Sequence, residues 1–142
     1  AHDLRGTWTG YADVHSPLRR RCFDENYYAA LNVEDGMARL VKLGAPKKKL
    51  MLGIPFYGRS FTLQDPRQNS LMAPIRKDVS AMPGQFVMSD EILAYYEVCM
   101  DITMRGWKRN YDAVGQCPYA YRDDQWVGYE DEESVSAKVD FV

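Results

Sequence analysis

"GIPFYGRSFTL", residues 53–63, begins as a short apolar run and changes character after Pro55, where two aromatics, a glycine and an arginine follow. An apolar run of this length, ended by Pro and Gly, reads as a strand. An Arg just past a strand has two uses. Its planar fork can be held by a neighbouring carboxylate, or it can donate several coplanar hydrogen bonds to a carboxylate or to the vicinal oxygens of a sugar. Gly58, with no Cβ, lets either backbone or ligand come close. The stretch alone leaves both uses open.

On its N-terminal side, Asn32 is placed to cap a helix in which Val33, Met37, Leu40 and Val41 share one face, and Gly44 followed by Pro46 ends it. The run from Lys49 to Ile54 then predicts a strand, making a helix-to-strand unit. Residues 6–17 carry no hydrophobic period and read as a long loop. On the C-terminal side, residues 64–88 read as loops and short strands. Asp90 is expected to cap a second helix containing Ile92, Leu93, Tyr96 and Glu97. "CPYAY" (117–121) and "QWVGYED" (125–131) read as two strands turning at residues 122–124, and Asp131 caps a last helix with a stripe of Val135 and Val139.

The 142 residues are 46% hydrophobic and 27% charged, a globular composition. A net charge of -2 gives no basic excess of the kind a nucleic-acid partner requires. The runs Arg19–Arg21 and Lys47–Lys49 read as solvated loop charge. No stretch has the apolar length of a membrane span, and the N-terminus lacks a signal-peptide pattern, so a secreted form implies a leader removed. His2 and His15 stand apart without clustered carboxylates, so no metal or other cofactor is expected. Cys22, Cys99 and Cys117 are an odd set, which leaves one thiol without a partner in the chain; a Cys99–Cys117 pair stays open.

The blocks "DLRGTW" (3–8), "HSPL" (15–18), "LGIPFYGRSFTL" (52–63), "LAYYEVC" (93–99), "CPYAY" (117–121) and "QWVGYEDEES" (125–134) resemble, in order and spacing, the chitinases of glycoside hydrolase family 18, the secreted arthropod and vertebrate type above all. The resemblance covers nearly the whole chain. It implies an α/β fold that is part of a (β/α)8 TIM barrel carrying a small α+β insertion domain. Residues 1–59 would be a barrel segment (end of strand six, helix six, strand seven), 60–125 the insertion domain, and 126–142 the return to the barrel and the start of helix seven. The remaining barrel strands would be a missing partner. Residues 60–125 are expected to fold locally and residues 1–58 to lean on that partner.

By the same resemblance, the family hydrolyses β-1,4-linked N-acetylglucosamine polymers by a substrate-assisted retaining route, an exception to the two-carboxylate rule. Its general acid is the Glu that ends an Asp-x-x-Asp-x-Asp-x-Glu motif, and this chain has no Asp-x-Asp at all. No catalytic residue is therefore expected here, and since a general acid contributes roughly a hundredfold to ten-thousandfold, the chain alone is expected to be inactive. The substrate-binding residues implied are Asp3, near the cleaved sugar, Trp8, on which a sugar ring stacks, and Tyr57 and Arg59, along the groove. His2 stands where the family has Tyr, Cys22 where relatives often have Pro, and "SLMAPIRKDVSAMPG" (70–84) replaces a Gly-rich rim. Cys99 resembles a cysteine whose partner lies beyond the eighth strand. Glu97, in the insertion-domain helix, reads as structural.

The resemblance leaves two functions in different classes. One is a fragment of a secreted chitin-hydrolysing enzyme; the other is a non-catalytic chitin-binding, lectin-like protein of the same family. A third reading, from composition alone, is an α+β interaction module in which Trp8 and its neighbours only pack.

Overall fold

The computed structural model describes all 142 residues. After a 3-10 turn at Thr7–Thr9 come β1 (Tyr11–Ala12), a second 3-10 turn at Asn26–Ala30, and α1 (Val33–Lys42). Then follow β2 (Tyr57–Thr62), β3 (Ala73–Pro74), β4 (Ile92–Ala94), α2 (Tyr95–Met104), β5 (Lys108–Asp112), β6 (Cys117–Arg122), β7 (Gln125–Gly128) and α3 (Glu132–Phe141). Five strands form one sheet in the order β4-β2-β7-β6-β5, antiparallel at every step, and β1 pairs with β3 beside it.

The sheet is covered on both faces, and the period of two along its strands decides which residue meets which cover. Phe61, Tyr119 and Trp126 point to the face covered by Ala12, Val14, Leu63 and Ala73. Ala120 and Val127 point the other way, against Leu93, Val98 and Tyr129, with Trp107 packed alongside. Phe61 and Trp126 sit opposite each other in the β2–β7 register and meet edge to face at 5.6 Å, while Tyr119 stacks on the same indole at 5.1 Å. Both Phe61 and Trp126 are fully buried, and each such side chain contributes on the order of 2 kcal/mol or more. Gly58 is packed against β7: a Cβ there would come within 2.5 Å of Val127 Cγ2 and 2.9 Å of the Gly128 carbonyl. The space beside Gly58 is taken by the Val127 side chain and the Gly128 backbone.

Several local expectations hold. Asn32 caps α1 by accepting from the Asp35 amide at 2.8 Å. Asp131 and Ser134 cap α3 reciprocally, with Glu132 and Glu133 in the first turn. β6 and β7 form the expected hairpin, with Asp123 in the left-handed region at φ 52.

Others are corrected. Asp90 caps nothing: Ile92–Ala94 is strand β4, because β2 offers it a ladder, and α2 starts at Tyr95. The run Lys49–Ile54 forms no strand: Lys49 ends a 3-10 turn, and residues 50–56 meet other segments through single bonds, the Tyr95 amide to the Phe56 carbonyl at 3.0 Å and the Ala1 amine to the Gly53 carbonyl at 3.3 Å. β5 went unpredicted; its edge position and the sequence Lys-Arg-Asn-Tyr-Asp hide the alternation, while the charges guard an open edge. In α3 the buried residues are Ser134 and Lys138, whereas Val139 is exposed, because Lys138 turns inward to the buried carboxylate of Glu130. On α1 only Val33 is buried. Of the rest of its apolar face, Leu40 is exposed, while Met37 and Val41 join Leu50, Leu52, Phe141 and Val142 around an open apolar hollow of about 500 Å³.

Arg21 also departs from the solvated reading of its run. It is buried and bonds three carboxylates, Asp13 (2.6 Å), Asp112 (2.8 Å) and Asp24 (2.9 Å), while Arg5 adds bonds to Asp24 and to the carbonyls of Leu31 and Tyr28. This network ties residues 1–32 to the β5–β6 hairpin. Those carboxylates also take Arg21 well above the usual arginine range, against the burial that alone would lower it, so it stays charged. No two of the three cysteines are joined; Cys117 is buried beside Lys138, and Cys22 is exposed.

Candidate substrate-binding site

The site starts from the backbone of Asp3, which sits in the left-handed region at φ 58, a conformation Asp tolerates better than most residues. Two bonds to His15 hold it there: the Asp3 amide donates to Nδ1 at 3.1 Å, and the Leu4 amide donates to the His15 carbonyl at 2.9 Å. The turn aims the Asp3 carboxylate at the start of β2. There Arg59 Nε donates to Oδ1 at 2.9 Å, and the Tyr57 hydroxyl donates to Oδ2 at 2.6 Å. Tyr57 and Arg59 are two apart on one strand, so both point to the same side of the sheet.

Trp8 closes the group. Its indole lies over the Arg59 guanidinium at 5.4 Å and is itself 55% exposed. Gly6 makes room for the ring, since any Cβ at that position would overlap the indole. An indole more than half exposed thus sits beside a guanidinium and a carboxylate, a combination that a pyranose, apolar on one face and hydroxylated at its rim, can use. All four residues implied by the sequence, Asp3, Trp8, Tyr57 and Arg59, are brought together.

The electrostatics follow from these contacts. Partial burial alone would raise the Asp3 carboxyl, but the hydrogen bonds from Tyr57, Arg59 and His2 outweigh it and bring it down to about 2. Burial, together with the neighbouring Asp3 charge, pushes the Tyr57 hydroxyl up to about 12. At neutral pH the site therefore holds an ionised carboxylate, a neutral phenol and a guanidinium in contact.

Three more residues join the site: His2, which stands where the family has Tyr, and two that the sequence reading left out, His15 and Glu91. His2 brings Nδ1 to 3.0 Å from the Tyr57 hydroxyl and 3.2 Å from Asp3 Oδ2. His15 lies behind Asp3. Glu91 approaches Arg59 Nη1 at 3.4 Å from the other side, its own carbonyl fixed by the Ser60 amide at 2.9 Å. Only the β2–β4 register, which sets Arg59 opposite Ile92, signals Glu91, and register was not readable from composition. Glu97 is elsewhere and structural: buried, it accepts from the amides of Phe86, Val87 and Ala94 and so starts α2 while pinning the preceding loop. No group of three or more His, Cys, Asp or Glu side chains is arranged to hold a metal ion, and no helix is long and apolar enough to cross a membrane.

Residues 1–142 match the model of the family described as glycosyl hydrolases family 18. The chain is 44% identical over 146 residues to the endochitinase of Manduca sexta, a match covering all of this chain and 26% of that protein. Among solved structures, the immunomodulatory active chitinase of Trichuris suis superposes with a TM-score of 0.94 at 32% identity, over 99% of this chain and 37% of that one. Catalytic domain 2 of the Ostrinia furnacalis Group II chitinase, solved as a mutant in complex with a penta-N-acetylated chito-oligosaccharide, gives 0.91 at 30% identity, over 99% and 36%. The chain thus spans about a quarter to a third of the length of these relatives.

Proposed function

The chain belongs to glycosyl hydrolases family 18, and on that premise we propose that it is part of a secreted chitinase and supplies one side of the groove that binds β-1,4-linked N-acetylglucosamine polymers. In this reading Asp3, Trp8, Tyr57 and Arg59 are the substrate-binding residues and the general acid belongs to the rest of the protein. Residues 1–59 and 126–142 are barrel segments of a partial (β/α)8 fold, and 60–125 are the insertion domain forming a groove wall. β2 and β7, neighbours in the sheet, carry the chain from one to the other.

The observation that supports this most is the convergence of an exposed indole, a guanidinium and an ionised carboxylate within one contact network. A sugar ring on Trp8 places its rim hydroxyls and acetamido group beside Arg59 and Asp3. Asp3 accepts from sugar N–H or O–H groups, and Arg59 and Tyr57 hold its orientation. Held rigidly before the sugar arrives, these groups lower the ordering cost of binding and position the scissile bond. The reaction is then substrate-assisted: the acetamido oxygen of the sugar attacks while a Glu outside this chain protonates the leaving oxygen. The apolar hollow of Met37, Val41, Leu50, Leu52, Phe141 and Val142 fits contact with the rest of a barrel.

The test is to assay the full-length protein and the isolated 142-residue chain on chito-oligosaccharides. Release of shorter oligomers by the full-length protein alone is expected. Hydrolysis by the isolated chain, or no binding of chito-oligosaccharides by the full-length protein, would overturn the reading.

A further inference from the structure

Resting on this reading of the site, we propose that His15 is a positioning residue of the sugar groove: a neutral imidazole strut that sets the Asp3 turn against Tyr57. One side of its ring accepts from the Asp3 amide through Nδ1 at 3.1 Å, and the other meets the Tyr57 carbonyl through Nε2 at 3.2 Å. An amide N–H can only donate and a carbonyl can only accept, so these partners fix the tautomer: the proton is on Nε2 and Nδ1 is the acceptor. The ring also stacks on the Tyr57 ring at 5.2 Å and 24°. One fully enclosed side chain therefore sets both the backbone of Asp3 and the ring of Tyr57, and those two meet through the 2.6 Å bond between hydroxyl and carboxylate.

Protonation would undo this. A proton on Nδ1 takes the acceptor from the Asp3 amide and turns a donor toward Asp3 Oδ1, 3.4 Å away, in competition with Arg59. The groups facing the ring are Asp3 and His2 from the N-terminal segment and Tyr57 and Arg59 from β2. Burial is the largest influence and lowers the imidazole to about 4, although the Tyr57 carbonyl and the Asp3 charge favour the proton. The strut is thus intact above that pH and lost below it.

The experiment compares wild-type, His15→Asn and His15→Phe forms of the full-length protein by affinity for chito-oligosaccharide across pH, with folding checked by thermal unfolding. Asn keeps an acceptor near the Nδ1 position and cannot titrate, whereas Phe keeps the stacking and loses both bonds. Expected are a loss of affinity near pH 4 in wild type, no such limb in His15→Asn, and about tenfold weaker binding at neutral pH in His15→Phe. A wild-type limb that persists in His15→Asn, or full affinity in a folded His15→Phe, would overturn the proposal. If His15→Phe does not fold, the His15→Asn profile decides. A wild-type protein that binds no chito-oligosaccharide would fail the chitinase reading instead. The strut would then be read from the Asp3 amide resonance, expected to shift near pH 4 in wild type and not in His15→Asn; a pH-invariant resonance in wild type would overturn it.

Discussion

Arg59 Nε lies 2.9 Å from Asp3 Oδ1, joining two residues far apart in the chain at the one place where an indole also stays open to solvent. The pair is only partly enclosed, so its value is geometric more than energetic: it fixes where each charged group points. A guanidinium can bond through Nε and stack under Trp8 at the same time, and an ammonium cannot do both.

Arg59→Lys is therefore expected to behave almost like Arg59→Ala. Each should weaken chito-oligosaccharide binding by the full-length protein by about 1.4–2.8 kcal/mol, roughly tenfold to a hundredfold, with little change in unfolding midpoint. Calorimetric titration checks this; full affinity in Arg59→Lys would separate the stacking from function.

Trp8→Ala distinguishes a sugar platform from a packing aromatic. An indole 55% exposed contributes little to the core, so stability should change by no more than about 1 kcal/mol while oligosaccharide affinity drops at least tenfold. A large fall in thermal midpoint with unchanged affinity would favour the interaction-module reading.

Removing Arg21 should do the opposite. Arg21→Met leaves Asp13, Asp24 and Asp112 facing one another in a dry interior, and breaking such a network costs about 3–5 kcal/mol. Denaturant unfolding of the full-length protein measures it, with loss of structure expected first in residues 1–32.

Acid should weaken the fold in two steps around the site. His15 is lowered from 6.5 to about 4, so between those values the unfolded chain binds the extra proton and stability falls as pH falls, by on the order of 3 kcal/mol in all. Asp3 is lowered from 3.8 to about 2, so its share is present above pH 3.8 and lost as pH falls toward 2. Thermal midpoints taken from pH 7 to pH 3 check the sign: His15→Asn should flatten the upper step only.

The sequence was legible where a local rule decides the structure. Asn32 and Asp131 cap because a side-chain oxygen three residues before an amide needs nothing else, and the β6–β7 hairpin follows from alternation around Asp123. It was illegible where a distant partner decides. Residues 92–94 follow a helical pattern yet pair with β2, residues 49–54 look like a strand yet form no ladder, and Lys138 is buried because Glu130 waits for it. Arg21 shows the same limit: preceded by two exposed arginines, it differs from them only through three carboxylates that the fold delivers. Of the candidate site, the structure brings together the four residues that the motifs carry, while nothing in the block "HSPL" marks His15 as part of it. Its role depends on the angle at which residues 3 and 57 meet, which no spacing encodes.

The most direct measurement is a crystal structure of the full-length protein with a bound chito-oligosaccharide. The account predicts a sugar ring against the exposed indole of Trp8, with its polar groups bonded to Asp3 and Arg59 and the Asp3–Tyr57 bond kept. An oligosaccharide seated elsewhere, with Trp8, Asp3 and Arg59 free of it, would contradict it.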